Sequence, residues 1–422
     1  MKIIENTKLN ESYYKINHSS GLSIYLYPKK DYTSAFAMIG TNYGSIDIKF
    51  KKDGEAEMQT VPAGVAHFLE HKLFENEDGD AFSKYAKTGA SANAFTSFDR
   101  TCYLFSTTDN FEDAFKILVS FVTSPYFTKE TVEKEQGIIS QEISMYDDDP
   151  NWRVYFNLLG SLYHNHPVKI DIAGSKESIS EITPEILYTC YNDFYNLNNM
   201  ALSVVGNIDK DKILSICDEL LKKNEEIKII KEKIEEPESA KQSYIEQSLE
   251  VAAPLFIYGY KINSDEEYMN SKDMLLMSII TNIITGKTSK LYTSLLEDGL
   301  INPSFGGEID EGRTFQLVMF SGESKDPKTV KDKIKAEIDR LKEIGINEED
   351  FEVSKKEMYG NIIKSFNDLS FIATGLISNH FEKADIYDAF NDIKKITLEG
   401  ANELLNKVFV EENSALSVIN PA

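Results

Sequence analysis

Apolar positions along this chain follow two periods, and the alternation between them lays out the elements. Two apolar runs rich in β-branched and aromatic residues, Leu22-Ser23-Ile24-Tyr25-Leu26-Tyr27 and Ser34-Ala35-Phe36-Ala37-Met38-Ile39, predict strands broken by Pro28-Lys29-Lys30-Asp31. Residues 62–75 then place Ala66, Leu69 and Leu73 at helical steps. Thr60 is a candidate N-cap for that helix and Pro62 suits its first turn. A second helix is expected near 79–88, then a small-residue run, Gly89-Ala90-Ser91-Ala92-Asn93-Ala94-Phe95-Thr96, and a strand at Thr101-Cys102-Tyr103-Leu104-Phe105-Ser106. Helices follow at about 110–123 and 129–146, and a helical region over 150–195 breaks at His166-Pro167 and Gly174. The strand Ala201–Gly206 and a helix to Lys223 complete the first half.

Residues 222–242 are dense in charge, contain Pro237 and have weak periodicity. They read as a linker, with a solvated helix or strand pair as the alternative. The order of elements then repeats: a strand at Pro254–Tyr260, helices from Asp273 and from Lys290, a strand at Phe315–Ser321 and a helix at 327–343. The expected domains are therefore 1–226, a linker at 227–242, and 243–422. Where the first half has histidines in its first helix, the second has Met274-Leu275-Leu276-Met277. The fold class is α+β: two homologous halves, each of antiparallel-rich sheets with helices packed on one face. Gly286-Lys287-Thr288 resembles the end of a phosphate loop, but the leading glycine's place is Thr281, and the segment reads as helix.

Composition narrows the function classes. The 422 residues carry a formal net charge of -24, which makes nucleic acid an unsuitable partner. No apolar run approaches the roughly 18 residues of a membrane span. The start, Met1–Asn6, has no apolar core of a signal peptide, and Cys102, Cys190 and Cys217 have no pairing or metal spacing. A cytoplasmic protein with buried thiols is expected.

The chemistry centres on His67-Phe68-Leu69-Glu70-His71. Histidines four apart share one helix face, so both imidazoles can reach one metal ion, while Glu70 offers a carboxylate beside it as a general base. The competing reading is a chance pair that packs or faces solvent. A third ligand is needed. On the helix at 129–146, Val132, Glu135, Ile139, Glu142 and Tyr146 fall on one stripe. Carboxylates buried there need a metal or hydrogen-bond partner, unless the stripe lies at an edge. Glu135 and Glu142 are about 10.5 Å apart along the axis, too far to share one ion. One is a ligand and the other orients a ligand or water, and spacing does not say which. His164 and His166 suit a strand or turn, and Asp147-Asp148-Asp149-Pro150 reads as a solvated helix end.

These residues resemble the insulinase/pitrilysin zinc peptidases, or inverzincins, whose signature is H-x-x-E-H. Pro62–Ala66, Asn93–Thr96, Glu135 through Glu142, His166-Pro167 and Asn199–Leu202 resemble family landmarks in family order, and the second half matches in Ser289–Tyr292 and Gly299-Leu300. The resemblance implies one Zn2+ per chain, bound by His67, His71 and Glu142. It implies Glu70 as the base that activates the attacking water and Glu135 as support for the site. It places Ala92, Asn93 and Ala94 on an edge strand that pairs with a peptide substrate. It also implies that the two halves form half of a clamshell chamber. One departure stands out. An Arg and a Tyr of active members fall here at Leu296 and Asn302. The expected partner is thus a homologous subunit that supplies that pair; whether the chain alone forms a homodimer is left open by the sequence. A zinc-stabilised scaffold subunit and a zinc hydrolase of non-peptide substrates are the competing classes.

Overall fold

The computed structural model describes residues 1–422. Its contacts divide the chain into two compact units. The first comprises residues 1–143, 171–233 and 363–387, and the second 144–170, 234–362 and 388–422.

The first unit is built on a seven-stranded sheet, ordered Lys2–Asn6, Glu11–Asn17, Ser23–Pro28, Met200–Gly206, Ala35–Thr41, Thr101–Thr107 and Ser91–Thr96. Met200–Gly206 is buried at every residue, as a central strand with both faces covered requires. It runs parallel to Ser23–Pro28 and antiparallel to Ala35–Thr41. Ser91–Thr96 lies at the open edge and pairs with Thr101–Thr107 alone.

The second unit repeats the last five positions of that sheet, from Ser23–Pro28 to Ser91–Thr96. Its order is Tyr244–Leu249, Ser414–Pro421, Leu255–Lys261, Phe315–Glu323 and Gly306–Gly312. Again the second strand is parallel to the first and antiparallel to the third. The expected repeat is therefore present in strand order and direction. The helix Ser271–Thr285 stands where the first unit has Val65–Leu73, and it buries Leu275, Leu276 and Met277 in an apolar core.

The packing units differ from the linear partition at 226 and 242, because two helices are exchanged in sequence. Pro150–Leu162 packs in the second unit on Leu255–Lys261 and Ser414–Pro421, and Leu369–Glu382 packs in the first on Ala35–Thr41 and Met200–Gly206. The two contacts are equivalent. Gly40 sits between Ala201 and Cys102, and a Cβ there would lie 2.8 Å from Ile377 Cγ2. Gly259 sits between Ala415 and Met319, and a Cβ there would lie 2.8 Å from Leu158 Cδ2. In both sheets glycine lets the exchanged helix approach the strand closely.

Three local expectations are corrected. Thr60 lies in a two-residue strand, Gln59–Thr60, and the helix begins at Val65 behind Gly64 (φ 91°). Backbone conformation rather than a side-chain cap starts it, and a Cβ on Gly64 would lie 2.5 Å from the Ala173 carbonyl oxygen. Asp149 is exposed, as a solvated helix end should be, but it does more than end a helix: its carboxylate accepts the N–H groups of Asn151 (2.8 Å) and Trp152 (3.2 Å) and starts the next helix, where negative charge is favoured. Within 222–242, Ile229–Lys231 pairs with Lys49–Lys52, and Lys231 Nζ bonds the buried Asp47 at 2.9 Å. Further on, Glu236 accepts the main-chain N–H groups of His164, Asn165 and His166. No helix is long and apolar enough to cross a membrane.

Gly40→Val is expected to lower unfolding free energy by about 1–3 kcal/mol through overpacking against Ile377. Combining it with Ile377→Ala should cost less than the two single changes summed, measured by urea denaturation in a double-mutant cycle.

Candidate metal centre

The helix Val65–Leu73 buries Phe68, Leu69 and Leu73, which fixes its rotation. That rotation carries His67 inward, 7% exposed, and leaves Glu70 and His71 half-buried. One turn apart, the two imidazole centroids lie 4.6 Å from each other. The long helix Lys129–Asp148 meets them with its apolar stripe. Val132, Glu135, Ile139 and Ile143 are buried and Glu142 is half-buried.

Geometry separates the two carboxylates that spacing left open. Glu142 Oε1 lies 3.7 Å from His67 Nε2, and Glu142 Oε2 lies 3.5 Å from His71 Nε2. These separations exceed an N–H···O hydrogen bond. They match the edge of a tetrahedron of zinc ligands, about 3.4 Å for bonds of about 2.1 Å. One ligand atom from each of His67, His71 and Glu142 lies within 4.8 Å of the others. Glu135 does something else. Its Oε1 sits 3.0 Å from His71 Nδ1, so the Nδ1–H donates to it and the Nε2 lone pair is left facing Glu142.

Electrostatics agree with this division. Burial, then the neighbouring His71, lowers the His67 pKa to about 4, so its ring is neutral and free to ligate at pH 7. Burial acts in the same direction on His71, but its hydrogen bond to Glu135 and the charges of Glu70 and Glu142 outweigh it and raise its pKa. Burial raises the Glu70 pKa, opposed by a hydrogen bond from Thr96. His67 Nδ1 is buried without a hydrogen-bond partner, which a ring held rigidly by an ion tolerates better than a free one. The donor set of two imidazoles and one carboxylate fits zinc.

The remaining expected residues fall as follows. Ala92, Asn93 and Ala94 lie on the open edge strand of the first unit, next to the metal-site helix. Thr96 was missed as a partner of Glu70: its hydroxyl donates to Glu70 Oε2 at 2.8 Å. Strand alternation was the available signal, since residues 92, 94 and 96 share one face. His166 is a core residue, with Nε2 2.9 Å from the Thr314 hydroxyl and Nδ1 accepting the Val168 N–H. Leu296 is exposed near the end of a helix, and Asn302 donates to Glu323 at 2.7 Å.

The chain is similar to known proteins along its whole length. The profile of the insulinase family (peptidase family M16) matches residues 54–176, and that of the peptidase M16 inactive domain matches residues 181–358. A protein of Bacillus subtilis named as the uncharacterized zinc protease YmfH is 38% identical over 428 residues, covering 100% of this chain and 99% of its own. Among solved structures, an M16-like peptidase from Alicyclobacillus acidocaldarius superposes with a TM-score of 0.92 at 34% identity, over 97% of this chain and 98% of that one. Pitrilysin superposes with a TM-score of 0.74 at 16% identity, over 98% of this chain but 45% of its own.

Glu135→Gln should weaken zinc binding by about ten- to a hundredfold at alkaline pH, by loosening His71. Because Glu135 raises the His71 pKa, protons compete with the metal from nearer neutrality in the wild type. The same substitution should therefore shift the acid fall-off of zinc affinity to lower pH, as read by competition with a chromogenic chelator.

Proposed function

Because the chain belongs to the insulinase family of peptidases (M16), we propose that it is a zinc-dependent endopeptidase. Its substrates are peptides or small unfolded proteins, and it works as the zinc-binding subunit of a two-chain assembly. The observation that carries this reading is the convergence of His67, His71 and Glu142, with the carboxylate of Glu70 on the same helical turn.

A zinc ion held at this site would supply Lewis acidity and make water acidic enough to attack at neutral pH. This chain's residues do the rest. His67, His71 and Glu142 hold the ion, and Glu135 keeps His71 in the tautomer that ligates. Glu70 takes the proton of the attacking water and returns it to the leaving amine. Its burial suits the task, since a desolvated carboxylate holds a proton more readily. The edge strand Ser91–Thr96 offers Ala92, Asn93 and Ala94 to an extended peptide, whose backbone adds to the sheet. That strand favours a peptide over a non-peptide substrate.

The partner is proposed as a homologous subunit, because Leu296 and Asn302 cannot replace the Arg and Tyr that the family resemblance expects. Pitrilysin is matched over 45% of its length, so a chain about twice as long can hold two such regions, and two separate chains can do the same. Leu296 and Asn302 also favour a second reading, a zinc-stabilised scaffold that binds peptides without cutting them. The buried thiols Cys102, Cys190 and Cys217 suit the proposed cytoplasmic setting.

Peptide cleavage by the zinc-loaded chain, alone and with a paralogous half-protein, tests the assembly. Cleavage is expected in the mixture, and cleavage by the chain alone at ordinary peptidase rates would remove the need for a partner. Glu70→Gln should retain zinc while losing at least about 100-fold in kcat. Retained turnover would reject Glu70 as the base.

A further inference from the structure

We infer that Thr96 is a positioning residue for Glu70, and that Glu70 in turn sets the register in which a peptide adds to the edge strand. The inference rests on the peptidase reading and goes beyond it. It begins with hydrogen-bond parity. The Ser97 N–H donates to the Arg100 carbonyl at 2.8 Å, which makes these two a hydrogen-bonded pair of the hairpin. Thr96 faces Thr101 in the next pair, so parity alternates along the strand: the main-chain groups of Thr96, Ala94 and Ala92 point away from Thr101–Thr107, toward the open edge.

Thr96 is the outward position nearest the turn, and Glu70 meets it there. The Thr96 hydroxyl donates to Glu70 Oε2 at 2.8 Å, which sets the carboxylate beside the outward main-chain groups of Thr96. An incoming peptide therefore finds that position taken. The next outward pair is Ala94, about 6.7 Å back along the strand. In the free chain its N–H is covered by the Asn93 carboxamide oxygen at 2.9 Å, a side-chain contact that a peptide carbonyl can displace. Backbone pairing thus runs through Ala92 and Ala94 and stops where the carboxylate begins. The bond that follows the last paired residue is delivered to Glu70 rather than past it. One strand carries both functions, so its rigidity fixes the distance between the docked backbone and the base.

The arrangement also explains the residue type. A carboxylate on a nine-residue helix has free χ torsions unless something outside the helix holds it. Thr96 is held by the sheet, and its branched Cβ restricts χ1, so the hydroxyl is presented in a narrow range of directions.

Thr96→Val keeps shape and removes the hydroxyl, and Thr96→Ser keeps the hydroxyl. Both would be made in the full chain and assayed with the partner half-protein, alongside zinc affinity and crystal structures of the zinc-free variants. Expected for Thr96→Val is a kcat about ten- to a hundredfold lower, with KM and zinc affinity unchanged within about twofold, and the Glu70 carboxylate turned away from residue 96. Thr96→Ser should recover most of the lost kcat. A Thr96→Val enzyme with wild-type kcat, or a Glu70 carboxylate unmoved in its crystal structure, would overturn the inference. If the wild-type mixture cleaves nothing, the peptidase reading fails, and the two crystal structures still decide whether Thr96 positions Glu70.

Discussion

The hydrogen bond from His71 Nδ1–H to Glu135 Oε1 is the contact on which the centre depends. It joins two helices that are remote in sequence, and it does so at the residue that must also present a lone pair. An imidazole has two nitrogens and one proton in its neutral form, so a donor bond at Nδ1 dictates an acceptor at Nε2. Glu142, two turns further along the same helix as Glu135, then meets that Nε2 and the Nε2 of His67. The seven-residue interval between the glutamates lets one orient the ring and leaves the other facing the two Nε2 atoms. Helix geometry thus converts a sequence spacing into a division of labour, and the apolar residues Val132, Ile139 and Ile143 keep both carboxylates aimed inward.

The second sheet shows what the same scaffold is without that division. Its strand order and directions copy those of the first, down to a glycine under an exchanged helix. Its helix Ser271–Thr285 fills the metal-site position with Leu275, Leu276 and Met277, all packed in an apolar core. Burial of such side chains stabilises a fold at about 25 cal/mol per Å², whereas a metal site must leave polar atoms pointing at one another. The two units therefore divide the tasks: a site that costs packing in one, and uninterrupted packing in the other.

Most of the site was legible in the sequence because helical periodicity is strict. Positions 67 and 71 must share a face, and so must 135 and 142. What periodicity cannot supply is the offset of one helix along another, and that offset decided which glutamate faces the Nε2 atoms. Strands with an apolar run, such as Ala35–Thr41 and Phe315–Glu323, were legible, and the repeat from the order of elements; Lys2–Asn6, Glu11–Asn17 and Gly306–Gly312 were not, because they lie at or near sheet edges and carry no such run. The start of the metal-site helix was not. Thr60 and Pro62 resemble a start signal, but Gly64 in a left-handed conformation against Ala173 is a tertiary contact with no local signature. The exchange of Pro150–Leu162 and Leu369–Glu382 was hidden for a related reason. Amphipathic periodicity says that a helix has a buried face and not which sheet covers it.

Charge gives the last step. Three carboxylates, Glu70, Glu135 and Glu142, gather around two imidazoles, of which His67 is neutral at pH 7. The nearby cation Lys72 is fully buried and committed to Glu75 at 2.5 Å. Arg100 is committed to Asp99 and Glu382. A divalent ion held there would offset two of the three negative charges and make the acidic cluster tolerable in a partly desolvated place. One negative charge would remain at the centre. A cation brought from outside this centre would meet that charge, which is the electrostatic ground for the proposed second subunit.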